Sequence, residues 1–471
     1  MGWDANMIED WVKEELKDVD IGDKRLDNRL MMLVSAMAKN PEASIPLACE
    51  SHAATKAAYR FFDDAHVKAE NICSAHIQST AERVKNSDDD VLLVIQDTTD
   101  FGFTHHPGVE GLGHLNNTYL KGLKMHSGLA VNQDGVPQGL LHLLIWTRDK
   151  NKIGKSVNRR QKKTEGKESI RWLDVVKSVR ELVPDSVDVV HVADREADIF
   201  DLFACAQKHN SKILIRAVHN RCVAHEDRYL WDAIQKSPIH GYTMVDIGRA
   251  NDRKPRTARL SIRYETMCIS PPKNRPDSSS LYSVPVSIIL AKEVKPLSHN
   301  EKPLCWLLIT TMPIENLDDA LRYIEWYSFR WLVERFHYVL KSGCKIEDLQ
   351  LEKMERLRRA IATYCIVAWR ILQITYEARK NPEILADTFL EKHEWKALYC
   401  ITHKTTVPPG KPPTLHEAVR WIAQLGGFLG RKSDGEPGVK TIWRGFRKLY
   451  NYAEMWQLFQ PIVPLEEGTC G

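Results

Sequence analysis

Two apolar segments that each run into an aspartate constrain the fold of this chain most. Val91–Ile95 and Val187–Val192 are short and rich in β-branched residues, which is typical of strands buried on both faces of a sheet. The first segment leads to Asp97 and the second to Asp194. Because ligands and catalytic groups of α/β sheets commonly lie at strand ends, this pattern predicts two carboxylates at the edge of one sheet.

Each aspartate also has a local role that the sequence leaves open. Asp97 could satisfy nearby backbone amides in a turn, and Asp194 could cap the helix that follows it. Two strands with the same ending make two independent caps the less attractive interpretation. A pair of strand-end carboxylates suits a hard divalent cation such as Mg²⁺.

A third acidic residue lies on an amphipathic segment, which we expect to form one long helix over residues 316–341. Residues that recur every three or four positions predict its core-facing side: Trp326, Phe329, Val333, Phe336 and Leu340. A second set, each one residue further on, would stand at the margin of that side: Tyr327, Arg330, Glu334 and Lys341. The alternative is that Arg330 and Glu334 form only a solvated ion pair, which is common at this spacing on helix surfaces.

The rest of the pattern predicts an α/β core with a mixed sheet between two helical ends. We expect a helical domain over 1–86, a core over 87–375 and a helical domain over 376–471. Within the core, residues 219–302 carry short strand-like runs separated by Pro, Asn and Ser, and they predict a β-rich insertion.

Local signals predict further elements. The Asp134-Gly135 pair predicts a hairpin turn within 126–147, since Asp-Gly favours tight turns between strands. We also expect a helix over 353–379, an irregular stretch over 380–414 and interrupted helices from about 415 to 460.

Composition limits the classes of protein that fit. The chain has 471 residues and a mass of 54.0 kDa, with 43% hydrophobic and 27% charged residues, as in ordinary globular proteins. It contains no uncharged apolar run near the roughly 18 residues that would cross a bilayer, and its acidic beginning is unlike a secretion signal. The ten cysteines show no C-x-x-C spacing, which argues against a zinc knuckle. We therefore expect a cytoplasmic protein without a membrane partner.

Local charge points to nucleic acid more strongly than the net charge of +4 does. Residues 148–171 contain ten Lys and Arg but only three acidic residues, and they connect a strand to a helix. Such a stretch could bind DNA phosphates, or it could be a solvated loop without a dedicated partner.

The three acidic positions and their neighbours together resemble one family. The resemblance lies in Gln-Asp-Thr-Thr around Asp97, Asp-Arg-Glu-Ala-Asp at 194–198, and the spacing Tyr327-x2-Arg330-x3-Glu334-x6-Lys341. The family is the DDE transposases of bacterial insertion sequences, in the insertion-sequence-four group that includes the Tn-five type. Words near both ends are also similar to this family: Gly22-Asp23-x-Arg25, Ala58-Tyr59-Arg60-Phe61, Leu425-Gly426-Gly427-Phe428 and Trp443-x-Gly445.

The resemblance implies an RNase H-like catalytic core with a β-rich insertion, flanked by an N-terminal DNA-binding domain and a C-terminal helical domain. It implies that Asp97, Asp194 and Glu334 form a catalytic triad that binds two Mg²⁺ ions, for which Mn²⁺ can substitute. The activity would be cut-and-paste DNA transposition through nicking, hairpin formation and opening, and strand transfer, on bacterial nucleoid DNA.

The resemblance also implies a set of DNA contacts on transposon ends and target. These are Tyr327, Arg330 and Lys341 at phosphates, Trp306 on a flipped base, Arg216 on transposon-end DNA, and Arg25 and Arg60 in the N-terminal domain. Trp306 lies in a strand-like apolar run, so it could instead be a core residue.

The partners implied are double-stranded DNA and a second copy of the chain in a synaptic complex. Exposed-looking aromatic residues near the C-terminus could pair the two copies, or they could simply pack on the core: Trp421, Phe428, Trp443 and Phe446.

Two other functions compete with an active transposase. One is a related RNase H-like DNA nuclease without transposition, and the other is a catalytically silent DNA-binding inhibitor. The intact acidic residues and their basic neighbours disfavour the inhibitor.

Overall fold

The computed structural model describes residues 8–117, 119–148, 164–224, 228–247, 256–273, 277–278, 281–294 and 303–459. They divide into two compact units. One unit, here called the helical unit, takes the described residues of 1–75, 338–350 and 355–471. The other, here called the sheet unit, takes those of 76–337 and 351–354. In the described part of the chain, no helix combines the length and apolar character needed to cross a membrane.

The described helices and strands alternate through the middle of the chain and are mainly helical at its ends. The α-helices are α1 Asp10–Glu15, α2 Lys24–Lys39, α3 Ile45–Cys49, α4 His52–Asp63, α5 Ala69–Lys85, α6 Ile170–Leu182, α7 Phe200–Lys208, α8 Leu230–Lys236, α9 Leu317–Ser328, α10 Trp331–Tyr338, α11 Met354–Lys380, α12 Lys392–His403, α13 Leu415–Leu425 and α14 Val439–Phe459. The strands are β1 Val91–Gly102, β2 Gly113–His114, β3 Lys121–Val131, β4 Pro137–Trp146, β5 Asp188–Ala193, β6 Lys212–Arg216, β7 Gly241–Ile247, β8 Arg256–Ile269, β9 Val284–Glu293 and β10 Cys305–Thr310.

The described strands form one mixed, mostly antiparallel sheet in the sheet unit. Their order is β2-β3-β1-β5-β6-β10-β9-β8-β7, and β4 pairs with β3. Only β1 with β5 and β5 with β6 are parallel. This confirms the prediction of an α/β core with a mixed sheet between helical ends.

The strands of the expected insertion continue this sheet. β9 pairs with β10, β8 with β9 and β7 with β8, all antiparallel, so the β-rich stretch lengthens one edge. Helix α8 lies in the same stretch and packs on β8 and β9. The hairpin of β3 and β4 also forms as expected, with Gly135 at a φ of 88° in its turn.

Helices on one face of the sheet bury the main core. Apolar residues of α6, α7 and α8 pack against β6, β9 and β10, with Trp172 and Phe203 almost fully buried. The end of α5 and another side of α6 cover β1, β3 and β4. Helix α6 therefore lies over the centre of the sheet, close to where β1 and β5 meet.

The helical unit has its own core, which decides between the two alternatives for the C-terminal aromatics and corrects one expectation. Trp443 is 1% exposed and Phe446 is 5% exposed, so these aromatics stabilise the fold and are not free to pair two copies. Trp421 and Phe428 are partly buried against the same core. Residues 380–414 are not irregular throughout, because Trp395 and Leu398 of α12 bury themselves in this core and hold a helix there.

Candidate active site

Asp97 lies within a strand, not at its end as the sequence predicts. β1 continues to Gly102 because it stays paired with β3 over that whole length. The last residue pair between β1 and β5, which run parallel, is Gln96 with Ala193. Asp97 and Asp194 each directly follow one member of this pair. Because neighbouring strands of a sheet lie about 4.8 Å apart, the backbones of the two aspartates lie close together.

Asp194 also has the capping role that the sequence left open. Its Oδ1 accepts a hydrogen bond of 2.8 Å from the backbone N–H of Glu196, at the start of a 3-10 turn over Arg195–Ala197. The turn ends at Asp198, a buried carboxylate that accepts hydrogen bonds from the backbone N–H groups of Val218 and His219. The turn that carries Asp194 is thus fixed at both ends.

The segment with the third acid is not the single helix that we expected. Helix α9 ends at Ser328, whose hydroxyl bonds back to the carbonyl of Glu325 at 2.6 Å, and α10 begins at Trp331. Short-range backbone bonds bridge the break, from Arg330 N–H to the Tyr327 carbonyl at 3.1 Å and from Leu332 N–H to the Phe329 carbonyl at 2.8 Å. Consequently Tyr327 lies at the end of one helix, and Glu334 lies in the first turn of the next.

The carboxylates of Asp194 and Glu334 both act electrostatically on Asp97. The pKa of Asp97 is raised to about 7, chiefly by burial and in smaller part by these two carboxylates. The Thr98 backbone N–H and the Arg330 guanidinium act in the opposite direction. Like charges that raise a pKa in this way are typical of carboxylates gathered in one site.

Glu334 is bound to Arg330, as the simpler interpretation of their spacing predicts. Arg330 Nη2 donates to Glu334 Oε1 at 2.6 Å, and the Glu334 side chain remains 55% exposed. The ion pair does not exclude a catalytic role, because Arg330 also lowers the pKa of Asp97 and so belongs to the same site.

These carboxylates suit a divalent cation chemically, since hard cations prefer carboxylate oxygens. Among the residues that the structure describes, no three His, Cys, Asp or Glu side chains are grouped closely enough to hold a metal ion as they stand. Glu334 faces Arg330 and Asp194 faces the Glu196 amide. A cation held by all three acids would therefore compete with Arg330 for Glu334.

Aromatic and basic residues form one side of the site. Trp306 on β10 is half-buried, and its ring centroid lies 5.5 Å from that of Tyr327 in an edge-on arrangement. Arg216, at the end of β6, donates to the Cys305 carbonyl at 2.9 Å. Burial lowers the pKa of Arg216, and the nearby positive charges of Arg195 and Arg330 lower it further. Arg330 and Arg216 also both act electrostatically on Tyr327, so positive charge lies close to this ring.

The remaining predicted DNA contacts lie in the helical unit. Lys341 is on a turn of π-helix over Val339–Gly343, where the Cys344 N–H bonds the Val339 carbonyl at 2.8 Å. Arg25 on α2 is exposed and paired with Asp23, and Arg60 on α4 is exposed. The structure therefore does not place Lys341, Arg25 and Arg60 in the same unit as the acids.

Sequence reasoning missed a buried polar network beside Asp97. Gln96 and His126 are joined at 3.3 Å, His126 Nδ1 and the Thr98 hydroxyl lie 2.9 Å apart, and Gln96 bonds His191 at 2.9 Å. Burial lowers the pKa of His191 to about 3 and that of His126 well below its ordinary value. Both imidazoles are therefore neutral, so each has one nitrogen that donates and one that accepts. His191 Nδ1 accepts from the Gln96 amide and His126 Nδ1 accepts from the Thr98 hydroxyl, whereas His126 Nε2 donates to Gln96 Oε1. The only signal in the sequence was a histidine inside an apolar strand.

His337 makes a second contact to the site. Its Nε2 lies 3.0 Å from the Ser127 hydroxyl, and its Nδ1 lies 3.6 Å from Asp97 Oδ2. Since Ser127 pairs with Asp97 across β3 and β1, the histidine spans the two strands on the face that carries the acid.

A polar cavity of about 250 Å³ adjoins the site, lined by Thr98, Asp100, Lys124, Trp146, Arg148, Glu168, Arg171 and Glu196 among others. Arg148 donates to the Glu168 carboxylate from Nε at 2.7 Å and from Nη2 at 2.6 Å, so its charge is paired within the protein. Of the basic stretch that we singled out, residues 149–163 lie outside the described residues.

Comparison with known protein families gives three matches. A model described as transposase DNA-binding matches residues 8–67, and one described as the transposase DDE domain matches residues 167–370. A model described as the transposase Tn5 dimerisation domain matches residues 366–458. The DDE match includes Asp194 and Glu334 but starts after Asp97, whose assignment depends on its pairing and charge contacts.

Proposed function

The chain belongs to the DDE transposases of the Tn5 type, and from this premise we propose that Asp97, Asp194 and Glu334 are its catalytic, metal-binding triad. As a member of this family, it is a metal-dependent enzyme that cleaves DNA and transfers strands, and its DDE domain has an RNase H-like fold. One observation carries the proposal. The pKa of Asp97 is raised by both other acids, although the three come from widely separated parts of the chain.

The chemistry proposed is repeated in-line displacement at phosphorus. Two Mg²⁺ ions, or Mn²⁺ in their place, supply charge neutralisation and an activated nucleophile when bound. The protein contributes carboxylates on a rigid sheet and on the first turn of α10. Arg330 is placed to exchange its bond to Glu334 for a DNA phosphate, because guanidinium groups bind both kinds of anion in the same geometry.

The same site can serve successive steps. A strand at the transposon end is nicked, the freed 3′-OH attacks the opposite strand to form a hairpin, the hairpin is opened, and a 3′-OH joins target DNA. Trp306 is proposed to stack on a base that leaves the helix during hairpin formation, and its half-buried ring beside Tyr327 supports this. Arg216 is proposed to contact transposon-end DNA nearby.

The other DNA contacts are proposed from the family alone. Tyr327 and Lys341 would contact phosphates at the cleaved end. Arg25 and Arg60 lie on exposed helix surfaces within the matched DNA-binding region, where backbone phosphates could reach them.

Domain boundaries stay as proposed from the sequence: DNA binding within 1–86, catalysis within 87–375 with the insertion at 219–302, and a C-terminal domain over 376–471. The DNA substrate implies action at the bacterial nucleoid in the cytoplasm.

The protein binds DNA and forms dimers, as its matched domains show. We propose that the dimer holds two transposon ends in a synaptic complex, and that it forms through a groove between α12 and α14. Ile401, Tyr452, Met455 and Phe459 line this groove, which has a volume of about 550 Å³ and is mainly apolar. The groove lies in the region matched by the dimerisation model, which supports a second copy as its occupant.

A cleavage assay tests the triad. The substrate is a duplex made from the inverted repeats that bracket the gene, with Mg²⁺ as the metal. Glu334→Gln and Asp97→Asn should each lower the cleavage rate by more than about 100-fold, beyond the usual effect of residues that only support metal ligands. Glu325→Gln, which changes an exposed acid of α9, serves as the matched control and should cleave normally.

The outcomes separate the competing functions. Full cleavage by Glu334→Gln would refute the triad. Cleavage of the wild type without strand transfer would indicate a nuclease, and DNA binding without any cleavage would indicate an inhibitor.

A further inference from the structure

Arg171 is a buried arginine whose individual role is not evident from its sequence context. It lies in the first turn of α6, where only 10% of its side chain is exposed. Trp172 and Trp146 lie under the guanidinium, with its carbon 5.3 and 5.9 Å from the two ring centroids. A cation taken out of water in this way is costly unless its hydrogen bonds are satisfied, so its partners are informative.

One arm of Arg171 reaches the strand that carries Asp97. Its Nε donates to the Thr98 hydroxyl at 2.9 Å, and the same hydroxyl lies 2.9 Å from His126 Nδ1. Because side chains alternate along a strand, Thr98 points to the face covered by α6 and Asp97 points to the opposite face. Arg171 therefore fixes the backbone beside Asp97 without lying on the side where DNA would bind.

The other arms reach the turn that carries Asp194 and the start of α6. Arg171 Nη2 donates to Glu196 Oε2 at 2.9 Å, and Nη1 donates to the Glu168 carbonyl at 2.9 Å. The backbone N–H of Glu196 is itself the group that the Asp194 carboxylate caps. All three guanidinium nitrogens are thus used, and one planar group links the neighbours of two catalytic acids.

We propose that Arg171 is a positioning residue that sets the separation of Asp97 and Asp194 and so prepares the site to bind divalent cations. This rests on the proposed triad. Lysine could keep the charge but could not bond Thr98, Glu196 and the Glu168 carbonyl together, because only arginine presents a rigid fork of donors.

The test measures metal binding directly, by electron paramagnetic resonance of free Mn²⁺ titrated against the full chain. Arg171→Ala and Arg171→Lys should both weaken Mn²⁺ binding by about 10- to 100-fold, the range seen when a group that orients metal ligands is lost. Thr98→Val, which removes the hydroxyl while keeping the shape, should weaken it in the same direction. If Arg171→Ala does not fold, the Mn²⁺ affinities of Arg171→Lys and Thr98→Val still test the proposal.

The matched control is Arg148→Ala, which removes the neighbouring arginine–glutamate pair of the same cavity. Arg148 bonds Glu168, Asn116 and the Leu115 carbonyl, so it does not contact the residues beside Asp97 or Asp194. Thermal melting should show comparable losses for Arg148→Ala and Arg171→Ala, whereas only Arg171→Ala should change Mn²⁺ affinity.

Two results would overturn the proposal. Equal Mn²⁺ affinity in Arg171→Lys and wild type would show that charge alone matters, and equal weakening in Arg148→Ala would show a general effect of cavity stability. Failure of the triad itself would look different, because the wild type and Asp97→Asn would then bind Mn²⁺ equally.

Discussion

At the scale of single residues, the clearest anomaly outside the active site is a pair of buried acids in the helical unit. Burial raises the pKa of Glu9 and of Glu394 above the ordinary value of 4.5, and the Glu9 carboxylate also raises the pKa of Glu394. Arg370 lies nearby and acts in the opposite direction, and its own pKa is lowered by burial to about 10. The folded helical unit therefore holds protons that the unfolded chain would release.

This pair predicts that stability falls as pH rises. Both carboxylates have a raised pKa in the folded state, so their contribution is complete below about pH 4.5 and is lost as pH rises toward and through neutrality. The free energy of unfolding should decrease by up to about 1.4 kcal/mol per pH unit for each proton retained. Denaturant titrations of the full chain from pH 5 to 8.5 measure it.

Glu394→Gln should flatten that slope, because glutamine stays neutral at every pH. Asp387→Asn, at an exposed position of the same unit, should leave the slope as in the wild type. An unchanged slope in Glu394→Gln would rule out the buried pair as its source.

Trp306 carries a second prediction at this scale. If the ring replaces lost base stacking, Trp306→Ala should slow hairpin formation or opening by about 1–3 kcal/mol in activation free energy and leave first nicking nearly unchanged. Gel assays that resolve nicked, hairpin and opened ends provide the measurement. An equal loss at every step, together with a lower melting temperature, would assign Trp306 to the core instead.

Individual residues show which parts of the site the sequence could predict. Asp97, Asp194 and Glu334 can be proposed from the sequence alone because each stands in a recognisable motif. The role of His126 could not be predicted, because it depends on contacts across strands, which no local pattern encodes. For Trp443 the sequence leaves two alternatives open, because an amphipathic pattern alone does not tell whether its apolar side faces a partner or the protein's own core, where the structure buries it.

At the scale of helices and strands, the break between α9 and α10 is the feature that places the third acid. Gly135, in the β3–β4 turn, lies directly against the Phe329 ring of this break. A Cβ atom added to Gly135 would lie 3.0 Å from a ring carbon, and the residue has a φ of 88°. The β3–β4 turn and the break between α9 and α10 therefore stabilise each other through this contact.

Gly135→Ala should disturb both. The left-handed backbone alone costs about 1–2 kcal/mol for a residue with a side chain. The contact with Phe329 should add a loss of cleavage, because the break carries Arg330 and leads to Glu334. Denaturant titration and the end-cleavage assay measure the two effects. Gly108→Ala is the control, since a Cβ there meets nothing within 4 Å. Equal stability and equal cleavage of the two variants would show that the β3–β4 turn does not stabilise the break between α9 and α10.

Element boundaries were harder to predict than element types. The alternation of apolar residues identified β1, yet its extension to Gly102 depends on pairing with β3, a segment far along the chain. The sequence predicts one unbroken helix over 316–341 because residues 328–330 contain no Gly or Pro to mark its interruption. Helix α12 was overlooked because its stability comes from burial against α13 and α14.

At the scale of the whole molecule, dimer formation has to be explained by a surface other than the aromatic residues first suspected. Trp443 and Phe446 are committed to the core of the helical unit. The exposed apolar residues of the same region cluster instead near the end of α14. Met455 is 51% exposed and Phe459 is 76% exposed, beside the groove formed with α12.

Charge placed in this groove should separate the two copies. Burial of a large apolar side chain contributes about 1.5–3 kcal/mol, so Met455→Glu should weaken dimerisation by roughly 10- to 100-fold, and more if each copy buries the residue. Leu429→Glu changes another exposed apolar residue, one outside the groove, and this variant should dimerise normally. Sedimentation equilibrium with and without paired end DNA gives the dissociation constants. Because a synaptic dimer joins both ends to target, concerted strand transfer should fall with dimerisation while nicking of a single end persists. A Met455→Glu protein that still dimerises like the wild type would show that the copies meet through another surface.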